Sequence, residues 1–352
     1  MVRAEDATAS EDPNPAEPGD DEMTRESLSI EVVWKGTERY PLRVPKYATV
    51  ISIKALLEEL TEVDAGSQKL LGLIKGRLPS DTDTLAGLGI QDGARVRLVG
   101  TRAADRVQSR AGSSWQDGDQ DDALAILDPG DADGAGGDYV EGEDRVVSTD
   151  WPAKLAQTIS TAEVRIMHAP RAGRKLAVLD LDYTLFDCKN MSGNIVEMAR
   201  PGLHEFLAAI YPYYDLIVWS QTRWHVVECK ITLLGMVTHP RYKLTTALDI
   251  SSMFTVRSVR GNRGVEHQVK ALDFIWARFP GIYDRRNTIH IDDLGRNFAL
   301  NPQNGLKIRA YKRSETSART DTELYKLTRY LLAISPLPTL EYLNHAQWRS
   351  YR

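Results

Sequence analysis

Three apolar runs stop abruptly in polar, chemically useful residues, and they limit what this chain can be. They are KLAVLDLD (175–182), YDLIVWSQT (214–222) and NTIHIDD (287–293). A run that is apolar at nearly every position reads as a strand buried on both faces, which means a parallel sheet. Helical stretches lie between them: GLHEFLAAIY (202–211), HVVECKITLLG (225–235) and VKALDFIWARF (269–279). Alternating strands and helices predict an α/β doubly wound fold, with its site at the carboxyl ends of the strands. No apolar run approaches the roughly 20 residues of a membrane span. The first 21 residues are acidic and lack the apolar core of a signal peptide. The only cysteines are Cys188 and Cys229, which excludes a disulfide scaffold or a Cys-rich zinc module. A soluble, intracellular protein with no membrane partner is expected.

The first strand ends in DLDYTLFD, Asp180 to Asp187. Two carboxylates two residues apart at a strand end face one pocket if the backbone turns there. Asp-x-Asp-x-Thr after an apolar strand is the signature of the haloacid dehalogenase superfamily of phosphotransferases, and the segment is identified as a member. The resemblance implies a Rossmann-like fold with a parallel sheet. It makes Asp180 the nucleophile, which attacks phosphorus to give an aspartyl-phosphate. Asp182 then serves as general acid for the leaving oxygen and general base for water. Carboxylates and phosphate repel one another, and a hard, oxygen-only site with few ligands suits Mg²⁺. Asp180, the backbone carbonyl of Asp182 and the IDD carboxylates would hold it. Asp292 and Asp293 are adjacent and the sequence does not settle which touches the ion; Asp293 is favoured, with Asp292 behind it. Ser220 at VWSQT and Lys270 at HQVKAL would bind and neutralise the phosphoryl oxygens. Thr184 would fix the loop after the nucleophile. Arg296 would reach substrate or pair with an acidic neighbour. Cys188 has no histidine placed to activate it and reads as a packed or loop thiol.

Ahead of this domain, LSIEVVW (28–34) and RYPLRV (39–44) read as strands, TVISIKALLEEL (49–60) as a helix capped by Thr49, and KLLGL (69–73) and RVRLV (95–99) as strands. The order β-β-α-β-β and the stretch QKLLGLIKGRLPSDTDTLAGLGIQDGARVRLVG (68–100) resemble a ubiquitin-like domain of the α+β, β-grasp type. No terminal Gly-Gly is present, so a docking domain is expected. Leu70 and Leu71 point to opposite faces of their strand. By the resemblance Leu71 is exposed near Arg97 and Val99, an apolar pair rimmed by basic charge that suits a receptor helix.

The formal net charge of -5 is unevenly spread. Residues 1–23 carry -7 and residues 111–144 carry -11, against +3 for 24–110 and +10 for 145–352. The expected organisation is a disordered acidic tail (1–26), the ubiquitin-like domain (27–102), an acidic flexible linker (103–150) and the phosphatase domain (151–352). Only about 25 residues separate Asp187 from the strand at Tyr214, and 236–264 fits a small hairpin, so the cap insertions are small. An open site with Arg257, Arg260 and Arg263 nearby suits an acidic, phosphorylated macromolecule better than a metabolite. No motif for stacking on nucleic acid is seen.

Ubiquitin-like segment, acidic linker, DLDYTLFD, VWSQT, VKAL, IDDLGRNF and NPQNGLKI together, over about residues 27–352, closely resemble the ubiquitin-like-domain-containing phosphatases related to the FCP/SCP-like phosphatases of the RNA polymerase II C-terminal domain. The resemblance implies a phosphoserine/phosphothreonine protein phosphatase, mainly nuclear, that docks on the 26S proteasome regulatory particle through Leu71 and its neighbours and acts as a monomer. Alternatives are a phosphatase of the polymerase C-terminal domain itself, a small-molecule phosphatase, or an adaptor whose phosphatase domain has decayed. Two departures from the family's usual pattern, Ala271 in place of Pro and Gln221 in place of Ala, remove no catalytic group.

Overall fold

A computed structural model describes residues 27–102, 144–188, 195–260 and 263–351. The acidic tail, residues 103–143 of the expected linker and the side chains of Arg260 and Arg263 lie outside the described residues.

The N-terminal unit builds from β1 (Ser27–Trp34), β2 (Glu38–Pro45), helix α1 (Val50–Thr61), β3 (Lys69–Leu71) and β4 (Ala94–Val99). β1 alternates buried and exposed residues, as a strand with one covered face must. The sheet runs β2-β1-β4-β3, with β1 and β4 parallel and the other pairs antiparallel. Thr49 caps α1, its side chain accepting from the Ser52 amide. The apolar stripe Val50, Ile53, Leu56 and Leu57 is buried. Leu70 is 1% exposed and Leu71 40%, so the alternation expected of this strand holds. Val99 is 42% exposed on the neighbouring strand, and Arg97 pairs with Leu71 in register.

The second unit is a five-stranded, all-parallel sheet: β6 (Lys175–Leu179), β7 (Tyr214–Trp219), β8 (Leu244–Leu248), β11 (Thr288–Asp292) and β12 (Gly305–Lys307), in the order β12-β11-β6-β7-β8. β7, β8 and β11 are buried at every position. Helices α2 (Trp151–Thr161), α3 (Leu203–Ile210), α4 (Trp224–Leu233), α5 (Leu272–Arg278), α6 (Glu315–Thr320) and α7 (Glu323–Ile334) accompany the sheet. None of the described helices is long and apolar enough to cross a membrane.

Two local expectations need correction. The stretch 236–264 is not all hairpin: its LTTAL segment is β8, the last strand of the central sheet. The hairpin itself is β9 (Phe254–Arg260) with β10 (Arg263–Val269), and it comes later. The end of the expected linker is structured too. β5 (Asp144–Val146) adds antiparallel to β9, which covers that exposed strand edge. The loop ahead of β6 is tied to the domain, because Arg171 donates to buried Asp215 at 2.6 Å and to the Tyr211 and Tyr214 carbonyls.

Candidate active site

The site forms where β6, β7 and β11 end side by side, as the apolar runs predict. Asp180 follows β6, and its amide donates to the Ile291 carbonyl at 2.9 Å. Asp292 ends β11 with Asp293 beside it, and Ser220 follows β7. Lys270 does not open a helix, as the sequence suggests. It stands immediately after β10, directly ahead of the α5 N-cap Ala271. The hairpin thus delivers it from outside the central sheet.

Lys270 is 1% exposed and donates to Asp180 Oδ1 at 2.5 Å and to Asp292 Oδ2 at 2.7 Å. Asp292 also accepts from Asn297 Nδ2 at 2.7 Å and from the Leu294 amide at 2.8 Å. Burial works against the charge of Lys270, but Asp180 and Asp292 outweigh it and hold the ammonium charged. Burial pushes Asp180 up to about 7, with repulsion from Asp292 adding to it. Asp293 is pushed up to about 8, first by burial and then by Asp292 and Asp180. Asp292 is also opposed by burial, yet Lys270 and His290 win and hold it well below the carboxylate range.

This imbalance bears on a metal. Oxygens of Asp180, Asp292 and Asp293 lie within 4.8 Å of one another. Three carboxylates face one ammonium, and Asp180 Oδ2 is buried with no hydrogen-bond partner among the described residues. Acceptor-only oxygens in excess of local positive charge fit a hard divalent cation. The Asp182 carboxylate is not in this cluster. Its Oδ2 accepts from Ser220 Oγ at 2.9 Å and its Oδ1 from Lys230 Nζ at 2.7 Å.

The loop that leaves Asp182 turns at Tyr183, whose φ of +59° is left-handed and uncommon for a residue with a side chain. Such a residue costs about 1–3 kcal/mol and persists only where its surroundings over-determine it. Here its amide donates to the Phe186 carbonyl at 2.8 Å, and its carbonyl accepts from the Tyr311 amide at 2.6 Å. Thr184 was expected to fix this loop. It is fully buried, but its hydroxyl makes no hydrogen bond among the described residues. Arg200 does that work: its Nη1 donates to the Thr184 carbonyl at 3.1 Å, and Nε and Nη2 clasp Asp321 at 3.0 and 2.9 Å.

Arg296 sits half-buried on the turn Gly295–Phe298, just past Asp293. Gln221 reaches Asn297 at 3.1 Å, joining the Ser220 loop to the partner of Asp292. Arg257 pairs across the hairpin with Glu266 at 2.9 Å, so part of the expected basic rim is neutralised. Burial pushes the half-buried Cys188 thiol up, away from the reactive thiolate. Sequence reasoning missed Lys230, Arg200 and Asn297. Only Asn297 carried a signal, lying four residues beyond Asp293.

Two family models match the chain: the NLI interacting factor-like phosphatases over residues 175–341 and the ubiquitin family over residues 29–103. Proteins named "Ubiquitin-like domain-containing CTD phosphatase 1" from Homo sapiens and Rattus norvegicus are each 38% identical over 327 residues, covering 92% of this chain and 98% of theirs. The "Ubiquitin-like domain-containing CTD phosphatase" of Arabidopsis thaliana is 37% identical over 330 residues, covering 94% of this chain and 92% of its own.

Proposed function

Because the chain belongs to the ubiquitin-like domain-containing CTD phosphatases, we propose that it is a Mg²⁺-dependent protein serine/threonine phosphatase working through an aspartyl-phosphate on Asp180. The observation that carries the reading is the buried, unpartnered Oδ2 of Asp180, on the same carboxylate as an Oδ1 already held by Lys270. A carboxylate with one oxygen anchored and the other left without a partner is held in place as a nucleophile.

In this reading Asp180 Oδ2 forms a bond to phosphorus as the bond to the seryl or threonyl oxygen breaks. Asp182 gives that oxygen its proton. The protonless Asp182 then takes a proton from water, whose oxygen attacks phosphorus and releases inorganic phosphate and free Asp180. Lys270 and the Ser220 region offset the charge of the phosphoryl oxygens. Asp180, Asp293 and the Asp182 carbonyl would hold the cation, with Asp292 anchoring Lys270. When bound, Mg²⁺ supplies the positive charge that lets carboxylates and phosphate share one site. The ubiquitin-like domain would bring the enzyme to the proteasome regulatory particle through Leu71, Arg97 and Val99, and the nucleus is the expected location.

Asp180→Asn keeps the shape of the side chain and removes the nucleophile. Hydrolysis of a phosphoserine peptide should fall to background while proteasome recovery in a pull-down is unchanged. Retained turnover in Asp180→Asn would overturn the mechanism. A wild-type protein inert towards p-nitrophenyl phosphate with Mg²⁺ would favour the adaptor reading.

A further inference from the structure

The two units touch, and they touch beside the site. Helix α1 of the ubiquitin-like domain lies against α4, the helix that follows Ser220. Cys229 Sγ donates to the Ser52 carbonyl at 3.1 Å, Arg223 pairs with Asp64 at 2.8 Å, and His225 Nε2 stands 3.4 Å from Glu58 Oε2. The buried apolar residues of the two units join in one continuous cluster. At the centre is Lys230, 1% exposed. It donates to Asp182 on one side and forms an ion pair with Glu59 of α1 on the other. The Phe186 ring lies 5.5 Å away.

We infer that Glu59 of the ubiquitin-like domain is a positioning residue for the phosphatase site, acting through Lys230 on Asp182. This rests on the acid–base role proposed above for Asp182. A lysine on a four-carbon stem has many rotamers, and freezing them costs about 2 kcal/mol. One carboxylate partner leaves the ammonium free to pivot; two, on opposite sides, fix it. Lys230 is so fixed, and with Ser220 Oγ it sets the plane of the Asp182 carboxylate. Half of that support comes from a residue 171 positions away, on another domain. The ubiquitin-like domain therefore completes the wall of the site as well as carrying a docking surface. Loss of the α1–α4 contact opens Lys230 to water and loosens the group that must protonate the leaving oxygen.

The test is a double-mutant cycle in the full chain, with Glu59→Gln, Lys230→Met and both together. Two substrates are compared, a phosphoserine peptide and p-nitrophenyl phosphate. Their alkoxide and nitrophenolate leaving groups differ in their need for a proton. kcat/KM reports the steps through leaving-group departure. In Glu59→Gln it should fall about tenfold for the peptide, a part of the 10²–10⁴-fold that a positioned acid contributes, with kcat carrying the loss. For p-nitrophenyl phosphate the fall should stay below about threefold, and the double variant should match Lys230→Met alone. Equal losses on both substrates, or effects that multiply in the double variant, would overturn the inference by showing mere loss of fold or independent action. Hydrogen exchange of residues 224–233 in Glu59→Lys supplies a readout without turnover. Unchanged protection there would show that the contact does not form in solution, whatever the activity. A wild-type protein without activity, by contrast, would sink the catalytic reading and leave the contact standing.

Discussion

Replacing Lys270 with methionine removes one charge and nearly preserves volume, so its effect isolates the electrostatics of the site. The ammonium lies 2.5 Å from Asp180 and 2.7 Å from Asp292. At an effective dielectric of about 20, each contact is worth roughly 6 kcal/mol before desolvation is subtracted. Breaking a buried pair by removing one partner costs about 3–5 kcal/mol, a figure that already includes desolvation. A domain of this size shifts its melting temperature by about 2–4 °C per kcal/mol, so Lys270→Met should melt roughly 6–20 °C lower at pH 8 in chelator. Excess Mg²⁺ should restore part of the loss, since a cation among the carboxylates replaces the missing charge. The pH dependence has a definite sign. Without Lys270 the crowded carboxylates have raised folded-state pKa values, so the folded form holds protons that the unfolded chain releases. Stability is then lost as pH rises, and the gap to wild type should narrow towards pH 5. Thermal melts followed by circular dichroism at pH 5 and 8, with and without Mg²⁺, check all of this. Equal melting of both proteins at pH 8 in chelator would refute the charge imbalance.

Other outcomes follow from particular contacts. Arg200→Met leaves the Thr184 carbonyl unpaired and Asp321 without its clasp; a stability loss of about 3 kcal/mol is expected by urea denaturation, with peptide kcat falling because the loop after Asp182 loosens. His345 is 3% exposed beside Tyr330, and burial holds it down at about 4. Its folded pKa lies below the unfolded value, so stability should fall as pH drops from about 6.5 to 4, by up to about 3 kcal/mol. His345→Gln should lack that part of the acid sensitivity in parallel melts. Leu71→Ala should reduce proteasome recovery in a pull-down with phosphopeptide turnover unchanged, since Leu71 is exposed on β3.

What the sequence revealed and what it hid divide along a physical line. Strand ends were legible because full burial writes a continuous apolar run and chemistry writes a polar stop. That is enough to bring Asp180, Ser220 and Asp292 to one edge. The Thr49 cap and the Leu70/Leu71 split were legible because they are local. Contacts that close over long separations were not. Nothing near Lys230 announces Glu59, and Arg200 looks like any surface arginine until Asp321, 121 residues on, is folded against it. Lys270 was found by type but misplaced by context. VKAL reads as a helix start, whereas pairing of Val269 with Phe254 makes it a strand end. β8 was read as hairpin because three of its five residues, LTTAL, are threonine or alanine and only burial marks them as central.

The contact between α1 and α4 also sets a distance. Helix α1 covers one face of the β2-β1-β4-β3 sheet, and Leu71 and Val99 project from the other. Seating the domain on α4 therefore leaves that pair uncovered, facing away from the α1 side. A partner gripped there would be held at a set offset from Asp180, in the manner of a jig. Phosphosites would then be selected by how far they stand from the grip, and a site of perfect local sequence at the wrong reach would go untouched.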